Sequence, residues 1–306
     1  TPGHIAVHVS AEDAWGNAVA AEHPIELDLN AVAVTVDVIS GDDRLNAAEK
    51  GSDLTLSGQT QGVEAGQTVV VKFADRTYTA QVQQDGSWSL TVPASAMEML
   101  IDGRAQVSVS VTNVNGNSAD ASRVVTVDTL PPDITINNLT DDNIISAAEA
   151  QQDVVLSGSS TAEAGQTITV ALNGKTYQTT VQHDGSWQLT VPAADVGALA
   201  DGTVTVTATV SDVAGNSSST DRVGLVDATV PQVTINDFVT DTNTINQLAH
   251  TQAQVLSGSV TGAAAGDWVT VTINNVDYTT VVDAAGNWSL GLPASVVQGL
   301  ADGTWT

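Results

Sequence analysis

Apolar and polar residues alternate along most of the chain. Runs such as 134–136, 167–170 and 203–207 place Val or Ile at every second position, with Thr beside them. Gly, Asp and Asn separate these runs from one another. Because successive side chains of a strand point to opposite faces, an alternation of period two predicts short strands with one buried face.

Turn signals separate the predicted strands, and one stretch of the repeat does not alternate. Asn173-Gly174 and Asp184-Gly185 are typical hairpin signals. The stretch from Pro192 to Leu199 does not alternate, and it has Pro at its start and Gly202 after its end. Since Pro favours the first turn of a helix and Gly the position after its end, this stretch predicts one short helical segment.

The strand pattern repeats about every 100 residues. Trp88, Trp187 and Trp288 hold equivalent positions, 99 and 101 residues apart, and a Leu-Ser-Gly tripeptide ending at Gly58 recurs twice. A period of this length is one domain per repeat. About seven short strands in such a repeat predict an immunoglobulin-like β-sandwich. We therefore expect an all-β chain of tandem sandwiches in a linear rod, with Trp187 in a core.

The phase of the repeat divides the chain into four segments. Residues 31–128 and 129–227 each carry a full set of predicted strands. Residues 1–30 match the last two strands of a preceding sandwich, and residues 228–306 match a sandwich that lacks its last strands. Because unpaired strand edges favour pairing with another chain, we expect head-to-tail self-association through these ends.

The charge balance excludes several classes of partner. The 306 residues include 35 Asp plus Glu but 8 Lys plus Arg, for a formal net charge of −27. Such a chain lacks the basic clusters that bind nucleic acid, and no apolar run is long enough to insert into a membrane. Its natural small partners are cations. The chain has no Cys, so disulfides do not stabilise it.

Four motifs occur in a fixed order in the second repeat. They are V-D-T-L-P-P at 127–132, D-D-N-I-I-S-A-A-E at 141–149, D-G-S-W at 184–187 and D-V-A-G-N at 212–216. With these motifs the chain resembles the tandem bacterial Ig-like repeats of giant type I-secreted adhesins, the non-fimbrial type of Salmonella most of all. The resemblance implies a secreted cell-surface rod with a role in adhesion and virulence. It also implies Ca²⁺ at the domain junctions and a host glycan or surface receptor bound elsewhere in the parent protein.

Acidic residues also occupy loops that a sandwich brings to its two ends. The loop after the first strand and the loop after the helical segment lie where the chain leaves a domain, and the D-V-A-G-N loop lies at the opposite end. Ca²⁺ takes about six to eight oxygen ligands, so these junctions are candidate Ca²⁺ sites. The candidates are Asp42, Asp43, Glu49, Asp102, Asp128 and Asp212 at the first junction, with Glu163 or Asp184 as further contributors, and Asp141, Asp142, Glu149, Asp201 and Asp227 at the second.

Turn chemistry is the competing interpretation of these acids. Asp side chains close turns with their own hydrogen bonds, which by itself accounts for Asp184. A turn needs no pair of carboxylates, so Asp142 with Glu149 favours a metal site. The third repeat carries Thr242 and Ala249 at those two positions. We therefore expect its distal site to be weak or lost.

Two other classes of function are open. Trp15 lies at a predicted loop tip, and Trp268 stands where the other repeats carry Thr. Both are candidate platforms for a carbohydrate or protein ligand, although Trp15 also suits packing against a neighbouring domain. Enzymatic activity is not expected, because the chain lacks a Cys nucleophile and the G-x-S-x-G and H-E-x-x-H motifs.

Overall fold

A computed structural model describes residues 3–237 and 244–303 of the chain. Strands dominate it, in three successive repeats, which confirms the all-β class and the tandem immunoglobulin-like sandwiches expected from the sequence. The described part has no helix with the length and apolar character needed to span a membrane. Two compact units alternate along the sequence: Thr1–Asn137 with Ser157–Leu189 and Thr207–Asp221, and Asn138–Leu156 with Thr190–Val206 and Arg222–Thr306.

The first segment is a two-stranded hairpin. Strands β1 (Gly3–Glu12) and β2 (Ala18–Leu27) are antiparallel, with Glu12 opposite Ala18. Apolar side chains on both strands are exposed, including Ile5 and Val9. Two long strands agree with the sequence pattern, and their assignment to a preceding sandwich stays a prediction.

The first full repeat is a sandwich of two sheets. One sheet has the order β4-β10-β9-β6-β7, and the other has the order β3-β5-β8. Their facing Val and Leu side chains form one buried core, from Val34 to Val127. The elements are β3 (Ala33–Val34), β4 (Arg44–Leu45), α1 (Ala47–Lys50), β5 (Leu54–Gln61), β6 (Thr68–Phe73), β7 (Arg76–Gln81), β8 (Ser87–Val92), α2 (Ala94–Met97), β9 (Gly103–Thr112) and β10 (Ser118–Val127).

A tryptophan and a glycine explain the repeated core motif. Trp88 is 1% exposed, and its indole N–H donates to the carbonyl of Thr35 at 3.1 Å. A Cβ on Gly58 would lie 1.9 Å from the same carbonyl oxygen. The backbone therefore passes so close that no side chain fits. The same two contacts recur at Trp187 and Trp288, which confirms that this repeated Trp is a core residue.

The second repeat follows the same plan. Its sheets have the orders β11-β17-β16-β13-β14 and β12-β15. A 3₁₀ helix, Glu149–Gln151, follows β11 in place of the α-helix of the first repeat. The other elements are β11 (Ile144–Ser146), β12 (Val154–Ser159), β13 (Thr167–Leu172), β14 (Lys175–Thr180), β15 (Ser186–Val191), α3 (Ala193–Val196), β16 (Gly202–Ser211) and β17 (Ser217–Asp227).

The third repeat has a smaller described core. Its sheets have the orders β18-β19-β22 and β20-β21, and its core centres on Trp288 and Leu292. All four residues of its first strand are exposed. The elements are β18 (Gln232–Ile235), a 3₁₀ helix (Ala249–Thr251), β19 (Gln254–Thr261), β20 (Trp268–Ile273), β21 (Val276–Val281), β22 (Asn287–Leu292) and α4 (Ala294–Gln298).

The predicted turns differ from the structure in one respect. The turn Asn173-Gly174 joins β13 to β14 as a hairpin, with Leu172 opposite Lys175, as expected. Asp184-Gly185 makes a tight turn but is not a hairpin, because β14 and β15 belong to different sheets. The dipeptide fixes the reversal of the chain, whereas the buried faces of the strands decide which sheet each one joins.

Candidate functional site

Three loops in the chain share one backbone fold. Loops 13–17, 113–117 and 212–216 each join two long strands. In each loop the first residue donates its N–H to the carbonyl of the fifth, at 3.0, 2.9 and 3.0 Å in chain order. The fourth residue is glycine, with φ of 86° to 92°, a conformation that other residues rarely adopt. The three loops are therefore one scaffold that carries different side chains.

Asp212 closes loop 212–216 with a buried carboxylate. One oxygen accepts hydrogen bonds from the N–H groups of Ala214 and Asn216, at 2.9 and 2.8 Å. The other accepts from the side-chain amide of Asn216 at 2.9 Å. All three donors are neutral, and Asp212 is only 8% exposed. Because a buried negative charge is costly without a compensating charge, this environment suits a nearby cation.

The same loop contacts the preceding repeat and the linker between the repeats. The amide of Asn46 donates to the carbonyl of Ala214 at 3.0 Å, and the N–H of Ala47 donates to the side-chain oxygen of Asn216 at 2.9 Å. The amide of Asn216 also donates to the carbonyl of Asp128 at 2.9 Å. As the topology predicted, the loop after the first strand of one repeat meets the D-V-A-G-N loop of the next.

Glu49 lies one helical turn after Asn46, which contacts loop 212–216. Its carboxylate accepts the N–H of Asn46 at 3.0 Å, and the Asn46 side-chain oxygen accepts the N–H of Glu49 at 2.9 Å. This reciprocal capping box starts helix α1 and fixes the orientation of Asn46. The other Glu49 oxygen accepts a hydrogen bond from the hydroxyl of Ser40. Glu49 is thus held beside the junction by its helix.

The neighbouring acids Asp42 and Asp43 have different partners. Asp42 accepts the N–H of Arg44 at 2.9 Å, as a turn residue does. Both oxygens of Asp43 accept hydrogen bonds from Arg123, at 2.5 and 2.7 Å. The Arg123 guanidinium is the main cause of a lowered pKa at Asp43, and the N–H of Ile39 adds to it. Asp43 as a Ca²⁺ ligand stays a prediction, and the arginine that already balances its charge argues against that role.

Asp102 and Asp128 lie at the linker that leaves the first repeat. Asp102 accepts hydrogen bonds from the N–H and the hydroxyl of Thr129, at 3.2 and 2.9 Å. Asp128 accepts the N–H of Leu130 at 3.3 Å, and its own N–H donates to the carbonyl of Leu45. Since Leu45 precedes Asn46, Asp128 is placed next to the contact with loop 212–216.

The linker that leaves the second repeat is built in the same way. Asp201 accepts hydrogen bonds from the hydroxyl of Thr229 and the N–H of Ala228, and these lower its pKa. Glu149 accepts the N–H and the hydroxyl of Ser146, at 2.9 and 2.7 Å. Ser146 lies opposite Asp227 in the parallel pairing of β11 with β17. The structure thereby connects Glu149 to the linker strand through one serine.

The remaining second-junction candidates lie in the preceding turn. Asp142 accepts hydrogen bonds from the N–H of Ile144 and the hydroxyl of Thr140, at 2.9 and 3.0 Å, and both lower its pKa. Asp141 is exposed beside it. Of the two further contributors named for the first junction, Glu163 contacts loop 212–216, where it accepts the N–H of Val213 at 3.1 Å. Asp184 closes a local turn by accepting the N–H of Ser186 at 3.0 Å.

The third repeat has Ala249 where the second repeat has Glu149, so its 3₁₀ helix begins without that carboxylate. Ala249 starts its 3₁₀ helix, and Asn246 caps the segment alone by accepting the N–H groups of Leu248 and Ala249. Thr242, the other substituted position, lies outside the described residues. The weak or lost distal site of this repeat stays a prediction.

The donor set at the first junction is entirely oxygen. It contains carboxylates at Asp128 and Asp212 and backbone carbonyls at Asp128 and Ala214. Within residues 3–237 and 244–303, no three acidic or histidine side chains form a preformed metal group. Ca²⁺ readily combines carboxylate, amide and carbonyl oxygens. The residues present fit Ca²⁺ with mixed ligands rather than a cluster of carboxylates alone.

One acidic residue at a junction was missed by the sequence analysis. Asp28 precedes the first full repeat, and its carboxylate accepts a hydrogen bond from the amide of Asn115 at 2.7 Å. The repeat phase places Asp28 100 and 199 residues before Asp128 and Asp227. The period itself was therefore the signal for this residue. The D-x-A-G-N pattern did not reveal its partners, because loop 113–117 reads N-V-N-G-N.

The fold and the shared loops define a protein of tandem immunoglobulin-like domains. Residues 28–129 and 137–228 each match the family described as bacterial Ig-like domain. Because these matches cover well over half of the chain, the chain belongs to that family. None of the curated proteins compared with the chain matches it.

Several solved structures are similar to the chain. It is 33% identical to a Ca²⁺-stabilized adhesin that helps an Antarctic bacterium reach out and bind ice, over 95% of this chain and 74% of that one, with a TM-score of 0.44. It is 31% identical to part of a 1.5-MDa bacterial ice-binding adhesin, over 87% and 88% of the two chains, with a TM-score of 0.44. A tetra-tandem repeat from the extending region of a large adhesion protein is 30% identical, over 99% and 76%, with a TM-score of 0.34. The chain thus resembles the repeats of large bacterial adhesins.

Proposed function

We propose that the chain is an extension segment of a secreted bacterial surface adhesin, exported by a type I route. In this role, tandem domains hold an attachment region away from the cell, and the ligand of that region binds elsewhere in the parent protein. The observation that carries the proposal is the hydrogen-bonded junction of Asn46, Asp128 and loop 212–216. Family membership and the identity to adhesin repeats support it.

Ca²⁺ stiffens the junctions in this proposal. Two small domains that meet end to end move relative to each other unless something fixes their linker. The residues that would hold the ion at the first junction are Glu49, Asp102, Asp128 and Asp212, with Asp42 from the adjoining turn. At the second they are Asp141, Asp142, Glu149, Asp201 and Asp227. A bound ion supplies charge neutralisation and ligands shared between domains.

The expected energy is modest. Extracellular Ca²⁺ modules bind with Kd values of about 10⁻⁴–10⁻³ M, so at about 1 mM Ca²⁺ a site with a Kd of about 10⁻⁴ M adds about 1.4 kcal/mol. This is small compared with the stability of a domain but large enough to select one linker geometry. Low Ca²⁺ inside the cell would leave the linkers free during secretion, and external Ca²⁺ would then order them.

Small-angle X-ray scattering tests the proposal. The intact chain is measured in millimolar Ca²⁺ and in EGTA, and we expect a longer maximum dimension with Ca²⁺. D128N weakens this response, because it removes a linker carboxylate at the first junction. D75N is the matched control, since Asp75 lies in the exposed turn between β6 and β7 and its φ of 55° also suits Asn. An unchanged maximum dimension between Ca²⁺ and EGTA would contradict the proposal.

A carbohydrate- or protein-binding role is the second candidate. This role is supported by two exposed tryptophan side chains, since Trp15 is 89% exposed and Trp268 is 74% exposed. Trp15, however, occupies the loop position of Ala214, whose carbonyl contacts the preceding repeat. That equivalence favours domain packing for Trp15 and leaves Trp268 as the stronger ligand candidate. A glycan array with W268A beside the parent chain tests this role, and equal binding by both would exclude Trp268 as the binding site.

A further inference from the structure

Loops 113–117 and 212–216 differ at two side chains, and the difference changes the charge of the loop. The first reads N-V-N-G-N and the second reads D-V-A-G-N, so asparagines replace the first Asp and the central Ala. The backbone is otherwise the same scaffold, with Gly116 and Gly215 both at φ 92°. The linker acids Asp28 and Asp128 occupy equivalent positions beside these loops. These two differences change which side-chain groups each linker acid contacts.

Asp28 is surrounded by side-chain amides. One of its oxygens accepts hydrogen bonds from the amides of Asn115, Asn113 and Asn117, at 2.7, 3.3 and 3.5 Å. The other accepts the N–H of Asn30 at 2.9 Å. Asn117 also donates to the backbone carbonyl of Asp28 at 3.3 Å. Both carboxylate oxygens are therefore engaged by neutral donors from the loop and the linker.

The orientation of the Asn113 amide is fixed by the loop itself. Asn113 is 4% exposed, and its side-chain oxygen accepts the N–H groups of Asn115 and Asn117, at 3.1 and 2.9 Å. Its nitrogen must then face outwards, where it donates to Asp28 and to the carbonyl of Gly62. Asp212 makes the same two backbone contacts but presents a second acceptor oxygen at this place. The substitution of Asn for Asp exchanges an acceptor for a donor.

Donors and cations compete for the same carboxylate. An amide N–H₂ carries partial positive charge towards Asp28, so it occupies lone pairs that an ion would use. Asp212 also accepts three neutral hydrogen bonds, but it is buried, whereas Asp28 is partly exposed and water completes the solvation of its charge. At Asp128 the equivalent loop supplies one amide, from Asn216, and that amide goes to the backbone carbonyl instead. The carboxylate of Asp128 accepts only a 3.3 Å contact from Leu130 among the described hydrogen bonds. The two linkers therefore have opposite requirements for a cation.

We propose that Asn113, Asn115 and Asn117 form an amide clamp that holds Asp28 without a divalent cation. The linker at Asp28 is then ordered whether or not Ca²⁺ is present, whereas the linker at Asp128 responds to the ion. The contrast rests on the proposed function, since it takes Ca²⁺ to act at Asp128. The clamp itself does not rest on it. A chain of such repeats combines junctions that Ca²⁺ sets with junctions that are set permanently.

Amide hydrogen exchange on the intact chain tests the clamp. Peptides that contain the N–H groups of Asn30 and of Leu130 report on the two linkers, each in millimolar Ca²⁺ and in EGTA. We expect the Asn30 peptide to exchange at the same rate in both conditions and the Leu130 peptide to exchange faster in EGTA. Faster exchange of the Asn30 peptide in EGTA than in Ca²⁺ would overturn the clamp.

Two variants make the test specific. N113D/N115A converts loop 113–117 to D-V-A-G-N, and we expect it to make the Asn30 peptide dependent on Ca²⁺. N115A alone removes the shortest donor without adding charge, and Asn115 is exposed, so the fold is preserved. It should speed exchange at Asn30 about tenfold in both conditions, because a hydrogen bond to a charged group is lost. Unchanged exchange in N115A would overturn the clamp.

The outcomes also separate the two proposals. If the Leu130 peptide ignores Ca²⁺, the proposed function fails, while N115A still decides whether the clamp exists. If the Leu130 peptide responds to Ca²⁺ and the Asn30 peptide responds equally, the clamp fails and the Ca²⁺ proposal stands. Peptides from β9 and β10 serve as the control for folding, and they should keep their exchange rates in N115A.

Discussion

Loops 113–117 and 212–216 have nearly the same backbone and opposite electrostatics. In the first, three amides face Asp28, whereas in the second, Asp212 adds a buried negative charge close to Asp128. The comparison shows that one loop scaffold can present either donors or acceptors to a linker acid. In our proposal, two side chains in this five-residue loop decide whether the linker acid is held by protein donors or is left for a cation.

The largest expected effect disturbs the core of the first repeat, which carries loop 113–117, and leaves the second repeat with loop 212–216 intact. Gly58 lies in strand β5 of the first repeat, and a Cβ there would overlap the carbonyl of Thr35, so G58A should destabilise that repeat by about 3 kcal/mol. Loop 212–216, which belongs to the second repeat, should keep its own turn. Urea unfolding with repeat-specific hydrogen exchange measures this effect.

The control for G58A is another glycine of the same repeat. Gly51 follows α1 with φ of −80°, and a Cβ there would meet only ordinary contacts at 3.4 Å. G51A should therefore change stability by less than about 0.5 kcal/mol. Equal effects of the two substitutions would show that the close approach at Gly58 is not what fixes the core.

The second effect compares the last residues of the two loops. Asn216 is 6% exposed and makes three side-chain hydrogen bonds, to Ala47, Asp128 and Asp212. N216A should cost about 1–3 kcal/mol, because it leaves buried partners unsatisfied. N117A should cost less than about 1 kcal/mol, because Asn117 makes longer contacts at 3.3 and 3.5 Å. Denaturant midpoints measure both, and a larger loss for N117A would reverse the comparison.

The third effect concerns an acid-sensitive ion pair that the first repeat has and the second repeat lacks. The pKa of Asp43 lies below its ordinary value of 3.8 because Arg123 binds it, so its stabilising contribution is complete above that value. The contribution disappears as the pH falls through the lower folded-state pKa. The second repeat has Asn143 at this position, which donates to the carbonyl of Val223 at 2.8 Å and does not titrate. The first repeat should therefore carry an acid-sensitive contribution at this position that the second repeat lacks.

The matched variant for the pH effect is D43N. It places an amide where the second repeat has one, so it should reduce the acid sensitivity of the first repeat and lower its stability at neutral pH. Hydrogen exchange of β10 and β17 between neutral pH and about pH 3 measures both repeats in one sample. An acid response of β10 that D43N leaves unchanged would remove Asp43 from the explanation.

The smallest effect concerns the exposed aromatic residues. W15A and W268A should each change stability by less than about 0.5 kcal/mol, because the side chains are largely exposed. Thermal unfolding of the two variants measures this. A clear destabilisation by W268A would show that this side chain packs against the protein rather than serving as a free ligand platform.

The sequence was sufficient for the features that repeat. Alternation gave the strands, and the spacing of Trp88 and Trp187 gave the period and the core. Topology then brought the acidic loop at Glu49 to the side of loop 212–216. These features are local in sequence or copied from repeat to repeat, and a single chain displays both kinds directly.

The rest depended on partners distant in sequence. Arg123 reaches Asp43 from 80 residues away, and no pattern links the two. Asn115 reaches Asp28 from 87 residues away, and its amide looks like an ordinary turn residue until the loop is folded. Asp184-Gly185 reverses the chain but does not choose a sheet. Such pairings arise only when the strands are assembled.

A crystal structure of the intact chain grown in millimolar Ca²⁺ tests the central claim most directly. We predict oxygen-coordinated density at about 2.3–2.6 Å from its ligands beside Asp128 and Asp212, and direct amide contacts without an ion at Asp28. An ion between Asp28 and Asn115, or a junction at Asp128 that stays free of metal in saturating Ca²⁺, would contradict the account.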